Sequence, residues 1–292
     1  MTSSRSNTLS HWSTDGLLCW LLRGIATIAG VIVVLIVAFL IVEAFPVLHH
    51  VGLRRFFTDP SWHPAQGLYN LTPMLWGTLF AMAGAVMVAT PLGILSAVFC
   101  HYYAPPAVAR PYRRLIELLA GIPSVVYGLW GLVVLVPLIG EIHPPGPSLL
   151  AGIVILAIMI LPTIALMADA SLANVPPHYL RGAAALGLPR WATVQGIVFP
   201  AAKSGLFTGV ILETGRAIGE TMAILMVCGN VVQTPSSFFD PIRTLTANIA
   251  LEMAYALGDH RSALFVSGLV LMAMVVALAV SAEWISRGRI YG

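Results

Sequence analysis

An all-α membrane protein with six spanning helices is the fold class this sequence predicts. Three observations carry that prediction. Of 292 residues, 58% are hydrophobic and only 9% are charged, whereas a soluble domain carries about 25% charged residues. Such a chain cannot clothe a water-facing surface. Six apolar runs each exceed the ~20 residues a helix needs to cross the hydrocarbon core. The basic residues, finally, are shared unevenly between the connecting segments.

The elements follow in order. Residues 1–16 are polar and rich in Ser and Thr, the composition of a disordered tail. The first span is expected over 17–42. Its apolar part is longer than the ~7–15 residues of a signal-peptide core, and no small-residue cleavage site follows it. A polar loop covers 43–72. The second span runs over about 73–102, with Pro91 as a kink that a membrane helix tolerates. The third covers about 115–139, and Pro144, Pro145 and Pro147 mark the turn after it. The fourth covers about 148–173. A charged segment, 175–200, separates it from the fifth span at about 204–232. The sixth covers about 263–285, and 286–292 is a short tail.

Six spans put both ends on one side, and Lys and Arg choose the side. Arg5, Arg23, Arg110, Arg113, Arg114, Arg181, Arg190, Lys203, Arg287 and Arg289 fall with the termini. Arg54, Arg55, Arg243 and Arg261 fall opposite. The termini and the 175–200 segment are therefore expected in the cytoplasm.

That segment carries Gly, Pro and charge between two apolar runs. Its first half reads as a short amphipathic helix, with Val175, Ala183 and Leu186 on one side and Arg181 and Arg190 toward water. Gly187 breaks it, and Pro189 prevents simple continuation. A second piece, 191–198, is expected to end before Pro200. Two stubs bent at a glycine form a knob that suits docking to another protein, although an ordinary inter-helix loop would satisfy the same pattern.

Here the residues resemble a family. Inner-membrane subunits of ABC importers carry a cytoplasmic loop of the form EAA, three residues, Gly, nine residues, Ile, any residue, Leu-Pro. Ala183, Gly187, Ile197 and Pro200 fall at that spacing; Arg181, Gly182 and Phe199 depart from it. The resemblance implies a type I importer (MetI-like) core over about 73–285. It makes Arg181, Ala183, Ala184, Leu186 and Gly187 the residues that couple the chain to an ATPase.

The fifth span holds Glu213, Arg216 and Glu220. Spacings of three and four place them on one helical face. Ionisable groups inside a membrane usually face a bundle interior or a water-filled path. Arg offers a planar fork of donors to an oxyanion at any working pH. Glu220 would accept a hydrogen bond from a protonated phosphate, which fully ionised sulfate cannot offer. The structural alternative is an internal Arg216–Glu220 ion pair. Glu213 makes the face net negative and is a candidate to hold Arg216 ready. Ser124, Tyr127 and Thr221 supply hydroxyls at mid-span, for the path or for neighbouring helices. Gly121, Gly128 and Gly131 are spaced for close helix contact. Asp169 reads as an ion-pair or capping residue. Thr246–Ala256 is either a short re-entrant or surface helix, or part of a solvated external loop with Arg243, Glu252, Asp259, His260 and Arg261.

The stretch GRAIGETMA (215–223), with LAGIPSVVYGLWGLVVLVP (119–137) and TLTANIALEM (244–253), resembles the phosphate-specific ABC permeases of the PstC type. That resemblance implies that Arg216 and Glu220 take part in phosphate translocation; Glu213 stands where such permeases usually carry a small or apolar residue. It also implies the partners: a second permease of the PstA type, two ATPase subunits, an external phosphate-binding protein and membrane lipid, in a bacterial inner membrane. A permease for sulfate or molybdate is the alternative.

Absences matter as well. Lys203 is the chain's only lysine and follows Ala202, so there is no Gly-Lys-Ser/Thr phosphate-binding loop. ATP is expected to be hydrolysed by partners, with no cofactor, metal or nucleic acid bound by this chain and no enzymatic activity of its own. The three cysteines and eight histidines give neither a disulfide framework nor metal spacing.

Overall fold

The computed structural model describes residues 9–287, with side chains described over 16–284. Among the described residues six helical stretches are long and apolar enough to cross a membrane. The expected tails at 1–8 and 288–292 lie outside the described residues; Leu9 already opens a helix.

Helix α1 (Leu9–His50) contains the first span. It stands at the edge of the bundle, and its Phe39 ring meets Phe265 edge-on at 5.6 Å. The helix does not stop near Val42 but runs through Pro46 to His50. The reason is tertiary: Ala44 and Val47 are fully buried in a cluster with Phe56, Trp62 and Tyr69. The loop that follows is correspondingly shorter. It contains α2 (Arg55–Thr58) and a two-stranded hairpin, β1 (Trp62–His63) and β2 (Leu68–Tyr69), with Trp62 opposite Tyr69. Asp59 fastens this hairpin, accepting from Tyr69 N–H at 3.0 Å and Arg55 Nε at 3.1 Å. Burial pushes its carboxyl up, but those two bonds outweigh burial and hold it below the usual carboxylate range.

Helix α3 (Thr72–Val98) passes through Pro91 and continues as a π-helical turn to Tyr103. Residues 106–120, expected to be loop and then the start of the third span, form a separate helix, α4 (Pro106–Ala120). The spanning stretch begins only at Ser124, as α5 (Ser124–Trp130), a π turn, and α6 (Val136–Ile142). Pro123 explains the break, since it has no N–H to donate and biases Ile122 away from helical geometry. Arg113 Nη2 of α4 donates to Asp169 Oδ1 at 2.9 Å, so Asp169 is an ion-pair residue that ties α4 down.

Helix α7 (Leu149–Ala173) is the most buried span. Its free N–H groups are capped: Ala151 N–H donates to Ser148 Oγ at 3.3 Å, Leu149 N–H to the Asp240 carbonyl at 2.9 Å, and Leu150 N–H to the Phe238 carbonyl at 2.8 Å. Small residues on α3 let the two helices touch; a Cβ on Gly84 would lie 2.6 Å from Ile153 Cδ1.

Helix α8 (Pro177–Ala185) ends in a reversal at Gly187 (φ +68°). Leu188 N–H returns to the Ala183 carbonyl at 3.1 Å and Gly187 N–H to that of Ala184 at 3.0 Å, a Schellman close. The second stub does not end before Pro200. Helix α9 (Arg190–Thr193) passes through a π turn, Val194–Val198, straight into α10 (Phe199–Gly219). The π turn shifts the ladder where Pro200 has no N–H to give, so the helix continues. The fifth span then breaks at Glu220–Thr221, resumes as α11 (Met222–Val227), and leaves helical geometry at Gly229 and Asn230 (φ 81° and 55°). Helix α12 (Leu245–Glu252) is buried rather than solvated, and α13 (Gly258–Arg287) closes the bundle.

Candidate functional site

The break between α10 and α11 is where the charged residues of the fifth span part company. Glu213 and Arg216 share the last turns of α10, and Arg216 Nη1 stands 3.7 Å from Glu213 Oε2. Glu213 is 5% exposed, whereas the Arg216 side chain is 40% exposed. Glu220 is not on that face. Its backbone is extended (φ −67°, ψ 129°), and its Oε1 accepts from Ala223 N–H at 3.2 Å, capping α11. The internal Arg216–Glu220 pair weighed from the sequence therefore does not form. A helix with a free C-terminal turn cannot keep a three-four stripe past its own end.

A residue the sequence did not single out completes the arrangement. Thr163, on α7 directly after Pro162, accepts from Arg216 Nη1 at 3.4 Å. Nothing about an isolated Thr in an apolar run announces this; only the packing of α10 on α7 brings the two together. Arg216 is thus held from one side by a carboxylate and a hydroxyl, and the rest of its fork stays half open. That geometry can present N–H donors to an oxyanion without letting the guanidinium swing freely.

The expected hydroxyls divide. Tyr127 Oη donates to the Leu119 carbonyl at 2.8 Å, across the α4–α5 break, so it fastens helices. Thr221 Oγ1 donates to the Gly219 carbonyl at 3.2 Å inside the α10–α11 break. Ser124 opens α5, half-buried. Gly128, one turn on, allows α5 to lie against α11: a Cβ there would be 2.9 Å from Ala223 Cα. Gly131 makes the same kind of contact with Ile155 at 2.7 Å, but Gly121 only ends α4.

The second candidate surface is the α8–α9 turn. Ala183 and Val175 point into a cluster with Val194 and Val198. Leu186 does not share their side; it lies beyond the last turn of α8 and is 79% exposed. Tyr179, Leu188 and Trp191 are exposed beside it, while Arg181, Ala184 and Gly187 are open to solvent. An exposed apolar group on a rigid turn, framed by Arg181 and Arg190, has the form of a protein contact.

On the far side, Glu252 is buried and accepts from Trp62 Nε1 at 2.9 Å and Arg243 Nη1 at 2.6 Å. His260 Nε2 lies 2.9 Å from the same carboxylate. Among the described residues no group of three His, Cys, Asp or Glu could hold a metal ion.

Residues 89–290, which contain the turn, α10 and α11, match the family described as "Binding-protein-dependent transport system inner membrane component". This chain belongs to that family. The permease is 38% identical over 241 residues to the "Probable ABC transporter permease protein YqgH" of Bacillus subtilis (strain 168), spanning 80% of this chain and 78% of that protein. It is 36% identical to the "Phosphate transport system permease protein PstC" of Mesorhizobium japonicum, over 78% of this chain and 77% of that one. With the protein of the same description from Pasteurella multocida (strain Pm70) it shares 31% identity over 98% and 96% of the two chains. Two solved structures share the fold alone. One is the inward-facing MetNI methionine ABC transporter (TM-score 0.62, 18% identity, 78% of this chain and 98% of that chain). The other is the bacterial alginate ABC transporter in complex with an alginate pentasaccharide-bound periplasmic protein (TM-score 0.65, 14% identity, 94% and 96%). The permease is therefore a multi-pass membrane protein of the importer type.

Proposed function

We propose that this permease forms half of the membrane path of an ATP-driven phosphate importer and that Arg216 meets the anion there. The observation that carries the reading is the half-open guanidinium of Arg216, steadied by Glu213 and Thr163 beside a helix break within the membrane. The phosphate transport permeases among its relatives support the cargo. Phosphate also suits Glu220: one oxygen already accepts Ala223 N–H, and the other would accept the proton of a protonated phosphate. Sulfate has none to give. The second half of the path would come from a PstA-type permease, with an external phosphate-binding protein on one side. On the other, two ATPase subunits would hydrolyse ATP and push on the α8–α9 turn at Leu186. Ten cationic residues against four support a cytoplasmic position for that turn and both termini. No cofactor or metal is needed for the cargo to pass.

The test is labelled-phosphate uptake by cells carrying the complex, comparing wild type with Arg216→Gln at matched membrane levels and with unlabelled sulfate as competitor. Loss of uptake in an assembled complex, untouched by sulfate in the wild type, is the expected result. Unchanged uptake in Arg216→Gln would make the Arg216–Glu213 pair purely structural.

A further inference from the structure

Lys203 sits on α10 where two grooves meet. One, of about 420 Å³, lies between α10 and α13 and is lined by Ile211, Leu212 and Ala282. The other, of about 580 Å³, lies between α10 and α3 and is lined by Ile94, Phe199, Leu206 and Val210. Pro200, Lys203 and Phe207 line both. Both grooves are predominantly apolar, and they run along opposite flanks of one helix from a single shared cation.

Their depth follows from helix lengths. Ile94 lies 22 residues along α3 from Thr72, and Ala282 lies 24 residues along α13 from Gly258. At 1.5 Å per residue these are about 33 and 36 Å, against a hydrocarbon core about 30 Å thick. Lys203 is therefore at the boundary of the core, on the same side as the α8–α9 turn. Around α10 it points about 140° away from Arg216, thirteen residues on, and neither groove is lined by Glu213, Arg216 or Thr163. Among the described residues no carboxylate lies within ion-pairing distance of Lys203. Thr90 Oγ1, buried and without a hydrogen-bond partner, lines the second groove, and Ser204 lines the first. Glu283 also lines the first and has an interaction of its own.

We infer that this is a specific site for a two-chain phospholipid, with its phosphodiester on Lys203 and one acyl chain in each groove. An ammonium at the interface, above concave apolar walls between helices, selects a phosphate headgroup over a bare hydrocarbon chain. Two grooves diverging from one cation match two chains diverging from one headgroup. Anionic and zwitterionic phospholipids share this chemistry, and a helix of the second permease is the competing occupant.

The whole transporter in nanodiscs, given phosphatidylglycerol with a photoactivatable acyl chain and then mapped by mass spectrometry, tests the site. Adducts are expected on the segments containing Phe207 and Ile94. They should fall about five-fold in Lys203→Gln, the loss of about 1 kcal/mol expected for one interfacial cation, and persist in Lys203→Arg. A phosphatidylethanolamine probe that labels equally assigns the selection to the phosphodiester; weaker labelling by it assigns the rest to net charge. Either supports the site. Equal labelling by diacylglycerol, undiminished adducts in Lys203→Gln, or efficient disulfide capture of Phe207→Cys by the second permease would overturn it.

Discussion

Glu213 and Arg216 face each other across 3.7 Å, one buried and one half open. The carboxylate anchors the guanidinium and offsets its charge without reaching the opening. At 3.7 Å, with the guanidinium half open to solvent screening, the contact is worth about 1 kcal/mol or less. Glu213→Gln should therefore leave the complex assembled and change the apparent KM for phosphate about five-fold or less. The expected direction is tighter binding with slower maximal uptake, because the anion then meets an uncompensated cation. A KM that rises instead would show that Glu213 serves chiefly to aim Arg216.

Glu220 has one observed duty and one proposed one, and the two are separable. Its Oε1 caps α11 through Ala223 N–H, and loss of such a cap costs about 1 kcal/mol. Glu220→Gln keeps an acceptor oxygen, so its thermal midpoint should match wild type while phosphate uptake falls. Glu220→Ala should lose both. If Glu220→Gln transports normally, the residue is only a cap.

At the α8–α9 turn a packing residue and a proposed docking residue stand three positions apart. Ala183 is 2% exposed, so Ala183→Leu overpacks the cluster and should destabilise by about 1–3 kcal/mol. Leu186→Asp changes only the exposed surface. It should leave the thermal midpoint in place yet abolish the coupling of ATP hydrolysis to uptake. Measuring ATPase stimulation by the loaded binding protein decides between the two.

Glu252 holds the β1–β2 hairpin, α12 and α13 together through Trp62, Arg243 and His260. Removing a buried acceptor strands its charged partner, at a cost of about 3–5 kcal/mol. Glu252→Ala should lower the unfolding midpoint far more than Asp259→Asn, whose contact with His50 is exposed and 3.5 Å long. Thermal unfolding in detergent measures both.

Asp240 gives the loop between α11 and α12 a defined acid limit. Ser236 N–H, the Ser236 hydroxyl and Ser237 N–H all donate to its carboxylate and hold it below the usual range. A depressed folded-state value means that the stabilisation is complete above the ordinary aspartate value near ~3.9. It is lost as pH falls through the lowered one. The same loop caps α7 through the carbonyls of Phe238 and Asp240. Protease cleavage within 234–242 should stay slow from neutral pH down to about 4 and accelerate below it, while Asp240→Asn should be cleaved faster at neutral pH and match wild type once Asp240 is protonated.

Much of this architecture was legible in the chain itself. Apolar length determined the six spans, because an unsatisfied backbone in lipid leaves only helices of about 20 residues or more. Rare charges in apolar runs pointed to Arg216, Glu213 and Glu220, because burying an ion in lipid needs a reason. Helix ends were a different matter. Whether Ala44 and Val47 stay helical depends on Phe56 and Trp62 packing over them. Whether the fifth helix halts at Glu220 depends on Ala223 N–H and Thr246 Oγ1 donating to its carboxylate and its carbonyl. Leu186 left the side of Ala183 because α8 closes one residue earlier. Thr163 joined the site only through the packing of α7 on α10. Composition and period report what a residue would like to bury or expose. Where a helix stops, and which partner waits across the bundle, is decided by contacts between segments far apart in the chain.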